Sequence, residues 1–151
     1  MNYKSNQKGE FEQKMIDIRR VARVVAGGRR FSFRVAVVAG NKKGSVGIGV
    51  GKAGDTATAI EKAFRYAKKN AVKINLTKDL SIPHEIEAKF ASSRIILKPA
   101  FKGQGLIAGS SVRTVVELAG IKNVIAKVLS RSKNKINIAR AAIKALQEFK
   151  I

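Results

Sequence analysis

The chain has no cysteine, one histidine and only 10 acidic residues among 151. Without cysteine there can be no disulfide, thiolate metal site or thiol nucleophile. His84, beside Pro83 and Glu85, has too few companions for a metal cluster or a Ser-His-Asp relay and is expected to be an ordinary strand-edge residue. Nowhere is there a run near the roughly 20 apolar residues of a membrane-spanning helix. The opening Met1-Asn2-Tyr3-Lys4-Ser5-Asn6-Gln7-Lys8 is polar, unlike a secretory leader. A soluble, cytoplasmic protein without metal or cofactor is therefore expected. Aromatic residues make up 6% of the chain, too few for a platform that stacks single-stranded bases.

What is abundant is positive charge. Lysine and arginine number 31, giving a net charge of +21, far more than solubility requires. Each neutralised phosphate releases a counterion, so a polyanion such as nucleic acid is the leading partner and its binding should be salt-sensitive. The cations are interleaved through a chain that is 45% hydrophobic, which excludes a simple disordered basic arm. Length allows one domain or two small ones. Like charge spread over small cores predicts modest stability at low salt, improved by partners that screen the repulsion.

Residues 1–10 lack apolar periodicity and are expected to be flexible. From Ile16 a strand pattern runs to the Gly27-Gly28 turn. A second strand, about residues 30–39, places Phe31, Phe33, Val35 and Val37 on a buried face, with Arg30, Ser32 and Arg34 opposite. Asn41-Lys42-Lys43-Gly44 links it to a third strand, where Gly47, Gly49 and Gly51 keep one face bare. Asp55 is positioned to cap a helix whose apolar stripe is Thr56, Ile60, Ala63, Phe64, Ala67 and Ala71. These elements make a βββα unit over residues 11–74.

Apolar periodicity lapses from Lys73 to Pro83, a plausible boundary. The second unit, residues 75–151, reads as ββαβα: strands near residues 82–90 and 94–98, a helix ended by Gly120, a strand over residues 121–129, and a last helix with Ile138, Ala139, Ala142, Ile143, Leu146 and Phe149 inward. The fold class is α+β.

Two glycine motifs invite nucleotide chemistry. Gly47-Ile48-Gly49-Val50-Gly51-Lys52 has Val46 and Ala53 where a Walker A loop needs Gly and Ser/Thr, and its glycines alternate like strand residues. Gly103-Gln104-Gly105-Leu106-Ile107-Ala108 matches G-x-G-x-x-A between a strand and a helix. However, Ala126, Lys127 and Val128 stand where a ribose-binding acid belongs. The phosphate-binding physics of that helix start survives without the cofactor, supported by Lys98, Lys102 and Arg113; a plain packing turn fits equally well. Glu85 and Glu87 could face one side of a strand, but Lys89 and Arg94 can neutralise them and no nucleophile accompanies them. The chain is not expected to be an enzyme.

The densest cationic feature is a turn. Arg19, Arg20, Arg23, Gly27, Gly28, Arg29 and Arg30 surround one hairpin tip, and guanidinium groups suit bidentate phosphate contact. A solvated loop is the bland alternative. With Arg34, Lys42, Lys43, Lys52, Arg94, Lys98 and Lys102, these positions form the expected RNA-binding set.

At this point the residues resemble the bacterial small-subunit ribosomal protein five family. The likeness rests on Gly28-Arg29, Phe33, Val35, Val38-Ala39-Gly40-Asn41, Gly44-Ser45-Val46-Gly47, Gly51-Lys52-Ala53 and Ala59-Ile60-Glu61-Lys62-Ala63. It continues through Ser93-Arg94, Lys98-Pro99-Ala100, residues 103–109 and Val116-Glu117-Leu118-Ala119-Gly120-Ile121. The resemblance implies a first domain like a double-stranded-RNA-binding fold and a second with a left-handed βαβ crossover. It also implies that the hairpin tip from Arg20 to Arg30 reaches small-subunit ribosomal RNA near the head and neck, where spectinomycin-resistance changes fall at positions similar to Arg23 and Gly27-Gly28. The second domain would adjoin small-subunit proteins four and eight, with Gly103, Gln104, Gly105 and Arg113 at the protein interface. That boundary is tied in the family to decoding accuracy, and the neighbouring channel is where messenger RNA enters. A free-standing RNA chaperone or regulator is the alternative.

Overall fold

Strands β1 (Glu12–Val25) and β2 (Gly28–Gly40) form a long antiparallel hairpin in the computed structural model, which describes residues 11–149. The stretch read as a flexible N-terminus lies outside the described residues. Strand β3 (Ser45–Ala53) pairs with β2, and helix α1 (Thr56–Lys69) follows. A short β4 (Val72–Lys73) then pairs with β3, so the expected three-stranded meander is a four-stranded sheet ordered β1-β2-β3-β4. Two residues are too few for strand periodicity to register in sequence.

The glycine comb faces the unit's own helix. A Cβ on Gly47, Gly49 or Gly51 would overlap the carbonyl oxygens of Ala67, Ala63 and Ala59 respectively. Four helical residues rise about 6 Å and two strand residues about 6.6 Å, so an alanine every fourth position meets a glycine every second one. The fully buried stripe of α1 is accordingly Ala59, Ala63 and Ala67; Thr56, Ile60, Phe64 and Ala71 are only half-buried. Asp55 occupies the N-cap position without a side-chain hydrogen bond to the helix.

The second sheet is ordered β5-β6-β8-β7, from β5 (Ile86–Phe90), β6 (Ser93–Pro99), β7 (Leu106–Ile107) and β8 (Val124–Val128). Helix α2 (Ser110–Ala119) connects β7 to β8, which pair in parallel, and α3 (Lys135–Gln147) ends the unit. The expected ββαβα therefore gains β7, again a two-residue strand. The strand expected over residues 121–129 is shorter, and the one expected from Ile82 begins at Ile86. Gly120 ends α2 in the left-handed conformation (φ 93°), as the sequence suggests. Asn134 caps α3, its Oδ1 accepting from the N–H groups of Ile136 (3.2 Å) and Asn137 (3.3 Å).

The inner half of β2 and the β3 strand beside it are covered on both faces. Val35 and Val37 pack with Ala59 and Ala63 of α1, whereas Val38 and Val46, on the opposite face, join one continuous core with Ile95, Leu97, Val115, Val116 and Leu146. At the junction, Lys42 N–H donates to the Leu118 carbonyl and Gly44 N–H to that of Ala119, both at 2.9 Å. The β2–β3 turn thereby satisfies carbonyls that the end of α2 leaves open. Backbones meet so closely that a Cβ on Gly40 would collide with Leu118 and one on Gly120 with Lys42.

Candidate nucleic-acid interface

Beyond the covered region, β1 and β2 continue as a two-stranded ribbon, and cross-strand pairing sorts its cations by face. Arg19 pairs with Arg34, Arg34 with Lys52, and Arg23 with Arg30. These five share the face opposite α1, with Arg23 and Arg30 nearest the tip. Arg20 and Arg29 point the other way, opposite Phe33 and Val24. The sequence-based set around Gly27 and Gly28 is thus divided between two faces of one ribbon.

Only part of this charge is spoken for. Arg19 Nε donates to Asp17 (3.1 Å), whereas Arg20, Arg23, Arg29, Arg30, Arg34, Lys43 and Lys52 have no carboxylate partner among the described residues. Elsewhere three of the predicted cations are engaged, and Lys102 has no carboxylate partner among the described residues. Lys42 pairs with Glu12 (2.6 Å) and Lys98 with Glu85 (3.3 Å), and Arg94 Nε donates to Glu87. That hydrogen bond, with the carboxylate's charge behind it, raises the Arg94 pKa above the ordinary guanidinium range.

Sequence reasoning placed Phe31 and Phe33 in the interior. Instead Phe31 is 46% exposed and Phe33 half-buried, because the covering layer on their face of the sheet stops short of the ribbon's outer half. Phe31 supports Arg20, whose guanidinium lies 4.4 Å from the ring centroid. Val24, 82% exposed, lies one residue pair from the turn. Apolar groups thus accompany arginines at the tip.

The Gly103-Gln104-Gly105 loop does not open directly into a helix. Gly105 N–H donates to Asn123 Oδ1 (3.2 Å), β7 follows, and α2 starts only at Ser110. Loop and helix start are therefore separate features rather than one phosphate nest. Arg113 lies in the first turn of α2, exposed like Lys102. Phe101, 88% exposed in the same loop, was missed by the sequence reading; its only signal was an aromatic next to Lys102 in a glycine-rich turn.

His84 precedes β5 instead of lying at a strand edge; its Nδ1 donates to the Glu85 carbonyl (2.9 Å) and its ring meets Phe149 edge-on. No group of three or more His, Cys, Asp or Glu able to hold a metal occurs among the described residues, and no helix of the described residues is long and apolar enough to cross a membrane.

A second missed feature lies where the ribbon meets α3. Asp17, Arg19 and Arg34 of the sheet and Asn137 and Arg140 of the helix line a cleft of about 140 Å³. Arg140 gave no motif signal, because its role depends on which strand α3 packs beside.

Comparison with known proteins matches both units. The model of the family described as "Ribosomal protein S5, N-terminal domain" matches residues 11–75, and that of "Ribosomal protein S5, C-terminal domain" matches residues 88–150. The chain is 52% identical over 141 residues to a protein named small ribosomal subunit protein uS5 from Campylobacter jejuni subsp. jejuni, covering 93% of this chain and 95% of that relative. It is 45% identical over 147 residues to a protein of the same name from Synechococcus elongatus, covering 97% and 81%. A protein named uS5c from Gracilaria tenuistipitata var. liui is 46% identical over 144 residues, covering 95% and 83%.

Proposed function

Because the chain belongs to the ribosomal protein S5 family, whose members are structural, non-enzymatic components of the small ribosomal subunit, we propose that it binds small-subunit ribosomal RNA through its β1–β2 ribbon. The observation that carries this reading is the ribbon itself: of its cross-strand row only Arg19 has a carboxylate partner among the described residues, and none of the described elements covers the tip where Arg23 pairs with Arg30. Guanidinium forks on a narrow, twisted ribbon can follow a phosphate backbone while the exposed apolar groups at the tip pack against sugars or base edges. Lys42, Lys43 and Lys52 extend the contact. Arg94, Lys98 and Lys102 join it more weakly, since two of the three share their charge with glutamates.

The finer reading follows the family resemblance. The first unit, residues 11–74, acts as a double-stranded-RNA-binding-like module, and the second, residues 75–151, carries a left-handed β7–α2–β8 crossover. Gly103, Gln104, Gly105 and Arg113 face small-subunit protein four, and the second unit also adjoins protein eight. In that position, in the small subunits of a cytoplasmic ribosome, the protein supports assembly, decoding accuracy and the channel through which messenger RNA enters. Crosslinking the protein in intact cells and identifying the attached RNA tests the central claim. Small-subunit ribosomal RNA should dominate the crosslinks, and dominance of any other RNA would sink it.

A further inference from the structure

The cleft between the two units gathers more positive charge than its one carboxylate neutralises; the Arg140 guanidinium also lies 5.6 Å from the Phe90 ring centroid, a contact that leaves its charge uncompensated. Arg19 and Arg34 enter from neighbouring strands and Arg140 from α3, with Asp17 as the one carboxylate, so guanidiniums outnumber acids three to one in about 140 Å³. Asp17, its side chain only 17% exposed, accepts from Arg19 Nε. The Nη edge of Arg19, the face that forks onto phosphate, is left unbound by Asp17. Asn134 already satisfies the first N–H groups of α3, so the binding power of the cleft resides in side chains rather than in the helix end. Arg34 has no acidic partner among the described residues. Such a cluster is self-repelling until an anion enters.

We propose that this cleft seats one backbone phosphate of the bound RNA, gripped from both units at once by Arg34 of β2 and Arg140 of α3, with Arg19 held in place by Asp17. This inference rests on the RNA-binding reading above and deepens it: the same strand would carry RNA from the ribbon tip to the junction of the two units. A single phosphate matches the small volume, and the mixed origin of its ligands makes RNA binding dependent on the units' relative placement.

The test measures binding of the full-length chain to small-subunit ribosomal RNA, with transfer RNA as competitor, between 50 and 200 mM salt, concentrations at which phosphate contacts register strongly. The variants are the double substitution Arg34→Gln plus Arg140→Gln and the single Arg34→Lys, each verified as folded by its thermal melt without RNA. The double variant should bind about tenfold more weakly, with its logarithmic salt slope flattened by about one unit. Arg34→Lys should keep the slope and lose part of the affinity, because a lysine retains charge but not the fork. If the wild-type chain prefers ribosomal RNA while the double variant matches it in affinity and slope, the cleft proposal is overturned and the RNA-binding reading stands. If the wild-type chain shows no preference for ribosomal RNA, the reading itself fails. Inorganic phosphate at millimolar concentration should leave the difference between wild type and double variant in place; abolition of that difference would point to a free-phosphate site and overturn the RNA assignment.

Discussion

Strand β2 has two halves that obey different rules, while its partner β1 is exposed or half-buried along its whole length. In the inner half, every residue from Val35 to Gly40 is buried, α1 lies on one face and the second unit on the other. In the outer half, from Arg19 to Arg34, most residues are exposed and arginines occupy both faces. The backbone ladder runs through both, interrupted by a register shift between Met15 and Asp17 in the inner half. What differs is cover. A strand sandwiched between layers uses small residues to admit neighbouring backbone, whereas a bare ribbon of the same strands is free to carry side chains selected for something outside the chain.

The sharpest way to break this contrast is to put bulk into the inner half. Gly49→Val would drive a side chain into the backbone of α1 at Ala63 and Ala67; it should cost on the order of 3 kcal/mol, read as a fall in thermal midpoint of several degrees. Next in size is Gly120→Ala, which places a Cβ in a left-handed residue against Lys42. It should cost about 2 kcal/mol by the same measurement, and a midpoint equal to wild type would show that the junction can open without penalty. In the outer half the sign of the experiment reverses. Arg23→Gln plus Arg30→Gln should leave stability within about 0.5 kcal/mol while weakening ribosomal RNA binding roughly tenfold or more and flattening the salt slope by nearly two. Smallest of all, Arg94→Gln on the second sheet should change RNA affinity by less than about twofold, because its charge already faces Glu87. A larger loss there would mean that ion pairing does not separate idle cations from working ones.

These halves were unequally legible in the sequence. Alternation in Val35 and Val37 located the inner strand, and the run of arginines about Gly27-Gly28 located the tip, because both signals are local. The facing of the glycine comb was not local. Gly47, Gly49 and Gly51 leave one strand face bare whatever lies across from them, and only the packed Ala59, Ala63 and Ala67 decide that it is a helix. Phe31 and Phe33 misled for the complementary reason, since alternation marks which side chains share a face but not where the covering layer stops. The two-residue strands β4 and β7 fall below any periodicity. The cleft around Arg34 and Arg140 joins positions over a hundred residues apart, and no spacing rule connects them.

The clamp formed by the β2–β3 turn on α2 also has a mechanical meaning. From Val35, where the cover ends, to Gly28 at the tip, seven residues of strand reach about 23 Å. Anchored at its base by the hydrogen bonds of Lys42 and Gly44 to the end of α2, the ribbon is a cantilever whose root is fixed to the second unit. A tilt of about 5° between the units would swing the tip by about 2 Å over that reach, most of a hydrogen-bond length. A disturbance at Gly40 or Gly120 would thus be felt as misalignment far from where it was made, at the arginines of the free end.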